Sequence, residues 1–363
     1  LHQSAPYVNH YRNNIVTINM TENEPIHPEN IENQAEEMPE IPVAPPALNV
    51  DPVMISAERV KTEISRVIVG QDDMLELLLV ALFTGGHVLL EGVPGIAKTL
   101  TAKLLARTLH TEFSRIQFTP DLMPTDVLGT AVFNMKTSDF TFKAGPIFSN
   151  IVLIDEINRA PAKTQASLFE VMEERQVTVD GSTYPMAAPF MVVATQNPIE
   201  QEGTYKLPEA QLDRFLFKII LAYPSLEEEQ AILRRFRNDF NGTLRETVNA
   251  VLTPEDIAMC QRIIEQVYIR EELLDYIAAI VHNTRSNADL FLGASPRASL
   301  SLMKASKAVA AMAGRNFVTP DDIRYVAYPT LNHRVILTPE REMEGYTTRE
   351  VLEEIVKKIE VPR

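Results

Sequence analysis

A lysine and a hydroxyl side by side at the end of a glycine loop can hold phosphate and a divalent cation. The stretch Glu91-Gly92-Val93-Pro94-Gly95-Ile96-Ala97-Lys98-Thr99 ends in that pair. It follows the apolar run Val88-Leu89-Leu90 and precedes a pattern with Leu100, Leu104, Leu105 and Leu109 on one helical face. Strand, glycine loop, helix is the context that gives a phosphate loop its meaning. Glycines let successive backbone N–H groups turn toward one anion, and the new helix adds the positive end of its dipole. Lys98 would reach the β- and γ-phosphates of a nucleotide, and the Thr99 hydroxyl would ligate magnesium. The expected cradle is Gly92, Val93, Pro94, Gly95, Ile96, Ala97, Lys98, Thr99 and Leu100. Ala97 is the one departure, because the general pattern has glycine there. The competing reading is a plain glycine turn that caps a helix.

A second apolar run, Ile151-Val152-Leu153-Ile154, delivers Asp155-Glu156 at its end. Asp155 can hold the magnesium, directly or through water. Glu156 can orient and deprotonate an attacking water. A strand that ends in a charged turn is the bland alternative. The pairing with a phosphate loop upstream favours chemistry. The next strand pattern closes with Ala194-Thr195-Gln196-Asn197, and adjacent strand ends of an open α/β sheet border one crevice. Asn197 there can hydrogen-bond the γ-phosphate and the water together. Ser295-Pro296-Arg297 reads as a helix start with a cation in its first turn, which opposes the helix dipole. Functional sites tolerate such conflicts, and a bound anion would satisfy both Arg297 and the free N–H groups. An adenine would fit beside Ile68-Val69-Gly70-Gln71, whose backbone at Gly70 and Gln71 can read the base edge.

These residues need a scaffold, and the pattern supplies one. From 51 to about 224, strand and helix alternate, the signature of a parallel sheet covered by helices on both faces. A helix at about 55–67 leads in. Five strands follow, at 87–91, 113–118, 151–154, 190–195 and 215–221. The third is apolar throughout, as a central parallel strand must be. Residues 130–149 and 176–186 read as two inserted hairpins, the second with Asp180-Gly181 as its turn. From Ser225 the chain reads as an all-helical second domain, 225–363. Its starts are marked by a Ser225/Glu228 capping box and by Thr253-Pro254-Glu255-Asp256 and Thr319-Pro320-Asp321-Asp322.

Residues 1–50 read as a disordered tail. They hold seven of the 24 prolines and seven glutamates, with one arginine, no glycine and no lysine, too little apolar surface to offset ordering entropy. The first residue is Leu1, and Met20 is the expected natural start. The net charge of −15 argues against a broad nucleic-acid or anionic-membrane surface. With one cysteine, Cys260, the chain has no internal disulfide, and a cysteine metal site is not expected. No run is long enough to span a membrane, and no secretory signal is read. The cytoplasm is the expected compartment.

Lys98-Thr99, Asp155-Glu156, Asn197 and Arg214 together resemble the Walker A, Walker B, sensor 1 and arginine finger of an AAA+ ATPase. The detail is similar to the MoxR family over about 51–345. Glu91-Gly92-Val93-Pro94-Gly95, Ile154-Asp155-Glu156-Ile157-Asn158-Arg159-Ala160 and Thr195-Gln196-Asn197-Pro198 carry the likeness. So do Glu209-Ala210-Gln211-Leu212-Asp213-Arg214-Phe215, Ser295-Pro296-Arg297 and Leu331-Asn332-His333-Arg334. The resemblance implies an AAA+ P-loop core of five parallel strands with two hairpin insertions and a helical lid. It implies ATP and Mg2+ as cofactors and a homo-oligomeric ring, expected to be a hexamer. Arg297 would be sensor 2, in its own subunit or the neighbour's. Arg214 would act across the subunit boundary, because it precedes its strand whereas the phosphate loop follows one. The implied partner is a protein with a von Willebrand factor A domain, and the implied work is chaperone-like remodelling. In related rings both insertions face the central pore. Phe140 and Phe142 could there touch a client, or else pack locally.

Rival readings keep the same catalytic residues. One is a DNA-acting AAA+ motor, which single-stranded DNA would stimulate. Another is the motor subunit of a metal chelatase. A third is a nucleotide-binding scaffold without hydrolysis, which the presence of both Glu156 and Asn197 disfavours.

Overall fold

The computed structural model describes residues 48–93, 95–136, 138–198, 204–239 and 242–362. All of them belong to one compact unit. The expected tail lies outside the described residues except for its last three positions, and so does Pro94 of the phosphate loop.

The chain opens with α1 (Asp51–Ser65) and α2 (Asp72–Thr84). α1 begins four positions before the expected 55, because Pro52 falls in its first turn, where a missing N–H costs nothing. Then come β1 (Val88–Gly92), α3 (Lys98–Thr108), β2 (Phe113–Gln117) and α4 (Pro124–Leu128). The first hairpin is β3 (Gly129–Asn134) with β4 (Asp139–Ala144), followed by β5 (Ile151–Asp155) and α5 (Ala162–Glu174). The second hairpin is β6 (Gln176–Val179) with β7 (Ser182–Pro185). Its turn residues Asp180 and Gly181 have φ of 49° and 80°, the positive pair that a type I′ turn requires. The core closes with β8 (Met191–Gln196), α6 (Glu209–Leu212) and β9 (Phe217–Leu221).

Five strands form one parallel sheet in the order β2-β5-β8-β1-β9. Their side chains alternate between two apolar cores. Val88, Leu90, Ile151, Leu153, Met191 and Val193 join the cluster that includes α1, α2 and α3. Leu89, Val152, Ile154, Val192 and Ala194 join the cluster under α4 and α5. Burial on both faces explains why β5 reads as an unbroken apolar run.

After β9 come α7 (Leu226–Phe236), α8 (Pro254–Glu265), α9 (Glu271–Ser286) and β10 (Leu290–Leu292). Then follow α10 (Pro296–Met312), α11 (Pro320–Leu331), β11 (Ile336–Leu337), α12 (Pro339–Met343) and α13 (Thr348–Lys358). The capping boxes at Ser225, Thr253 and Thr319 are all present. The helical lid carries one addition that periodicity did not signal, an antiparallel ladder of β10 and β11. Two strands of three and two residues are too short to show a period of two. The lid shares its apolar core with the sheet domain: Ile257, Cys260, Leu302 and Ala305 belong to the same cluster as Leu78 and Leu82 of α2. Cys260 is buried, and burial pushes its thiol pKa up, as expected of a packing cysteine.

The hairpin aromatics divide. Phe142 stacks on Tyr184 with ring centres 4.2 Å apart and meets Phe148 edge-on at 5.6 Å. It therefore packs between the two insertions. Phe140 is two-thirds exposed and meets Phe133 edge-on at 5.2 Å.

His87, just before β1, is buried between strands and α5. Its Nε2 donates to the Met172 carbonyl at 3.1 Å, and its Nδ1 accepts from the Val192 N–H at 3.0 Å. Burial is the main cause that lowers its pKa to about 4, and Arg175 adds to it. The neutral ring uses both nitrogens, so protonation would break the Val192 bond. The unfolded chain takes up this proton near its ordinary value of 6.5, and the folded chain does not. This contribution is therefore complete above about pH 6.5 and is lost as pH falls toward 4, by about 3 kcal/mol in all. Urea unfolding of the wild type and His87→Gln from about pH 7.5 to 4 should show stabilities that converge by that amount. Parallel curves would show that His87 titrates normally.

Candidate functional site

The phosphate loop is shaped by backbone that most side chains resist. A Cβ on Gly92 would lie 2.6 Å from Ile96 Cδ1 and 2.9 Å from the Leu221 carbonyl oxygen. Ala97 has φ 62° and takes the left-handed conformation that glycine holds in the general pattern. α3 starts at Lys98, so the first N–H groups of the helix face the loop. Lys98 Nζ donates to the carbonyls of Gly92 at 2.6 Å and Gln196 at 3.3 Å, across the ends of β1 and β8.

Asp155 ends β5 and is buried. A buried carboxylate needs donors, and it has three. Thr99 Oγ1 and Thr195 Oγ1 each donate to Oδ1 at 3.2 Å, and Arg115 Nε donates to Oδ2 at 2.7 Å. The two expected metal ligands, Thr99 and Asp155, are thus in contact. Hydroxyl and carboxylate oxygens are the hard donors that magnesium takes, with water and phosphate completing its shell. The residues present fit that ion.

Glu156 is held in a left-handed conformation at φ 57°. Its N–H donates to Thr195 Oγ1 at 3.1 Å. Its Oε2 accepts from Gln117 Nε2 at 2.7 Å and forms an ion pair with Arg159, whose Nε is 3.0 Å away. Asn197 follows β8 and is buried. A cavity of about 460 Å³ brings together Gly95, Ala97, Lys98, Thr99, Leu100, Asp155, Glu156 and Asn197. Arg115, Gln117, Thr195 and Arg245 line it too. Sequence reasoning missed these four. The register of β2 against β5, which places Gln117 beside Asp155, is not written in either strand alone.

Gly70 and Gln71 both have positive φ, 70° and 65°. Gln71 Nε2 donates to the Ile96 carbonyl at 3.0 Å and ties this turn to the phosphate loop. Its Oε1 is buried with no partner among the described residues.

Arg214 and Arg297 come together elsewhere. Arg297 makes a two-pronged pair with Glu173, Nη1 to Oε2 at 3.1 Å and Nη2 to Oε1 at 2.5 Å. Arg214 Nε is 3.6 Å from Glu173 Oε2, and its Nη1 donates to the Ala210 carbonyl at 2.9 Å. The anion expected at the start of α10 is therefore supplied in this subunit by Glu173, on α5. Glu173 was not among the expected site residues, because no local pattern links 173 to 214 and 297. The surrounding cavity, about 350 Å³, is lined by five cations and two carboxylates, and also by Gly86, His87 and Leu216. Those three residues precede β1 and β9. This second group therefore lies at the amino-terminal edge of the sheet, whereas the phosphate loop lies at the carboxyl edge.

Among the described residues no helix is long and apolar enough to cross a membrane. The profile of the ATPase family associated with various cellular activities (AAA) matches residues 87–217, and that of the AAA lid domain matches 282–355. The Bacillus subtilis protein YeaC, named as uncharacterized, is 48% identical over 82% of this chain and 92% of its own length. Chaperone MoxR1 of Mycobacterium tuberculosis is 44% identical, covering 84% of this chain and 82% of that protein. Protein MoxR of Methylorubrum extorquens is 32% identical, over 79% and 90%. The crystal structure of a Cytophaga hutchinsonii protein aligns with a TM-score of 0.79 at 44% identity, covering 86% of this chain and 98% of that one. With its five-stranded parallel core, its phosphate loop and its helical lid, the chain belongs to the MoxR family of AAA+ ATPases.

Proposed function

We propose that the chain forms a homo-oligomeric ring, expected to be a hexamer, in which one subunit holds each ATP and the next completes its site. The observation that supports this is the division of the charged groups between the two edges of the sheet. A five-residue strand is about 17 Å long, well beyond the reach of an arginine side chain. Arg214 and Arg297 are therefore too far from their own subunit's phosphates, and in a ring that edge faces a neighbour.

Within one site the roles follow from position. Gly70 and Gln71 read the base, and the unpaired Gln71 oxygen is an acceptor for an exocyclic amino group. Lys98 exchanges its carbonyl partners for the phosphates. Thr99 and Asp155 would hold magnesium, which supplies positive charge against the phosphate oxygens. Glu156 takes the proton of the attacking water, with Gln117 and Arg159 fixing the carboxylate. Asn197 orients that water. Arg214 and Arg297 of the neighbour meet the charge that develops on the transferred phosphoryl, an effect worth ~10³–10⁵ in rate in well-studied cases.

The coupled work is chaperone-like remodelling of a partner protein. One relative is itself named a chaperone. The first hairpin exposes Val132, Phe133, Met135 and Phe140, an apolar tip suited to a client chain. The partner that the family resemblance implies is a protein with a von Willebrand factor A domain. The cytoplasm fits a chain with one buried thiol.

Glu156→Gln should keep ATP binding while turnover falls by roughly 10²-fold or more. Turnover within a few-fold of the wild type would remove Glu156 as the base. Stimulation of turnover by single-stranded DNA would favour a nucleic-acid motor over a chaperone.

The trans arginine is tested by mixing two inactive proteins, Lys98→Ala and Arg214→Ala, under conditions of subunit exchange. The mixture should recover turnover, because an Arg214→Ala subunit keeps Lys98 and can receive Arg214 from a Lys98→Ala neighbour. Wild-type turnover by Arg214→Ala alone would dismiss the finger. Inactive singles with no recovery would dismiss action in trans.

A further inference from the structure

One motif has no part in the reaction as derived so far, Asn332-His333-Arg334 at the end of α11. Arg334 is buried, its side chain 2% exposed. It cannot reach a neighbouring subunit, so it is not a third trans arginine. A buried guanidinium is costly unless its donors are used, and these are. Nε donates to Asp213 Oδ1 at 2.7 Å, and Nη2 to the carbonyls of Asp213 at 3.1 Å and Phe215 at 2.8 Å. Nη1 donates to the carbonyls of Leu216 at 3.2 Å and Thr330.

The two residues before it do the same. His333 Nε2 donates to the Phe215 carbonyl at 3.1 Å, and burial, with Arg334 beside it, holds its pKa well below the usual value. Asn332 Nδ2 donates to the Lys218 carbonyl at 2.9 Å. Three consecutive lid residues thus bind the backbone on both sides of Arg214 and into β9.

Asp213 extends the network. Its Oδ2 accepts from Ser295 Oγ at 2.9 Å. Ser295 caps α10, accepting from the Arg297 N–H at 3.2 Å. One carboxylate therefore joins the residue before Arg214 to the cap before Arg297.

We propose that Arg334, through Asp213, is a positioning residue that ties the Arg214 segment to the part of the lid that carries Arg297, so that lid movement in one subunit moves both arginines offered to the next. This rests on the reading that Arg214 acts in trans. The plainer alternative is that Arg334 only staples lid to core. The two differ in where the residue matters. A staple is needed by every subunit, but a positioning residue is needed by the subunit that donates the arginine.

The experiment places Arg334→Lys on either side of the mixed ring. Lysine keeps the charge and loses the planar fork that serves several acceptors at once. Donors are Lys98→Ala, with or without Arg334→Lys. Acceptors are Arg214→Ala, with or without Arg334→Lys. On the donor, the change should cut recovered turnover by roughly 10- to 100-fold, the scale of a small misplacement. On the acceptor, which has no finger to position, recovery should stay within about two-fold, as for sites that do not couple. Calorimetric ATP affinity and ring size of Arg334→Lys should match the wild type. Equal losses in both placements, or no loss on the donor, would overturn the proposal. Failure of the unmodified donor and acceptor to recover any turnover would overturn the trans reading, and the proposal with it. If Arg334→Lys melts below the assay temperature, Ser295→Ala on the donor decides, because it cuts the Asp213–α10 link together with the α10 cap and leaves the Arg334–Asp213 pair in place. It too should lower recovery from the donor side alone, and a symmetric effect would sink the idea.

Discussion

A parallel strand has two unlike ends, and a sheet of five such strands has two unlike edges. In the order β2-β5-β8-β1-β9 the carboxyl ends of β1, β5 and β8 adjoin. Their last residues, Gly92, Asp155 and Gln196, lead directly into the loop, the acid pair and Asn197. At the other edge, the residues that precede β1 and β9 frame the cavity that holds Arg214 and Arg297. The sheet keeps these charge sets apart. Reversal of a single strand would move its functional residue to the wrong edge.

At the carboxyl edge the governing cost is burial of charge. Asp155 sits inside the crevice, where a bare carboxylate would be expelled or neutralised. Thr99, Thr195 and Arg115 prevent this from three different elements. Glu156, one residue on, is half-exposed and turned by its left-handed backbone toward Gln117 and Arg159. Two adjacent carboxylates therefore occupy different surroundings. The buried one is suited to hold a cation and the open one to meet water.

Much of this could be read from the chain, because the signals are local. The phosphate loop, Asp155-Glu156 and Asn197 each close an apolar strand, and the hairpin turn and three capping boxes are four-residue patterns. What escaped is pairwise and distant. Gln117 touches Glu156 across 39 positions, and Arg297 touches Glu173 across 124. Neither contact has a local pattern, since each depends on strand order and on how α10 docks against the sheet domain. Arg334 escaped for the same reason. It was noticed as part of a motif, but its role depends on Asp213, 121 positions away. The β10–β11 ladder was lost to its brevity. The α1 boundary was misjudged because proline at a helix start looks like a break.

The contacts that hold the two arginines differ in strength. Glu173 and Arg297 have side chains 35% and 48% exposed, and water screens such a pair to about 0–1 kcal/mol. Arg334 and Asp213 are 2% and 18% exposed, and breaking a buried pair of this kind costs about 3–5 kcal/mol. The backbone that carries Arg214 and the cap of α10 is therefore set by an interaction that persists. The guanidinium tips are set by one that is easily exchanged. On the proposed trans reading, a phosphate, with more charge than one carboxylate, would displace Glu173 without disturbing Asp213. Glu173 also offsets the repulsion of five cations around one small cavity. Removal of its charge would therefore loosen the arginine tips in the free subunit and leave the attachment of the Arg214 segment to the lid intact.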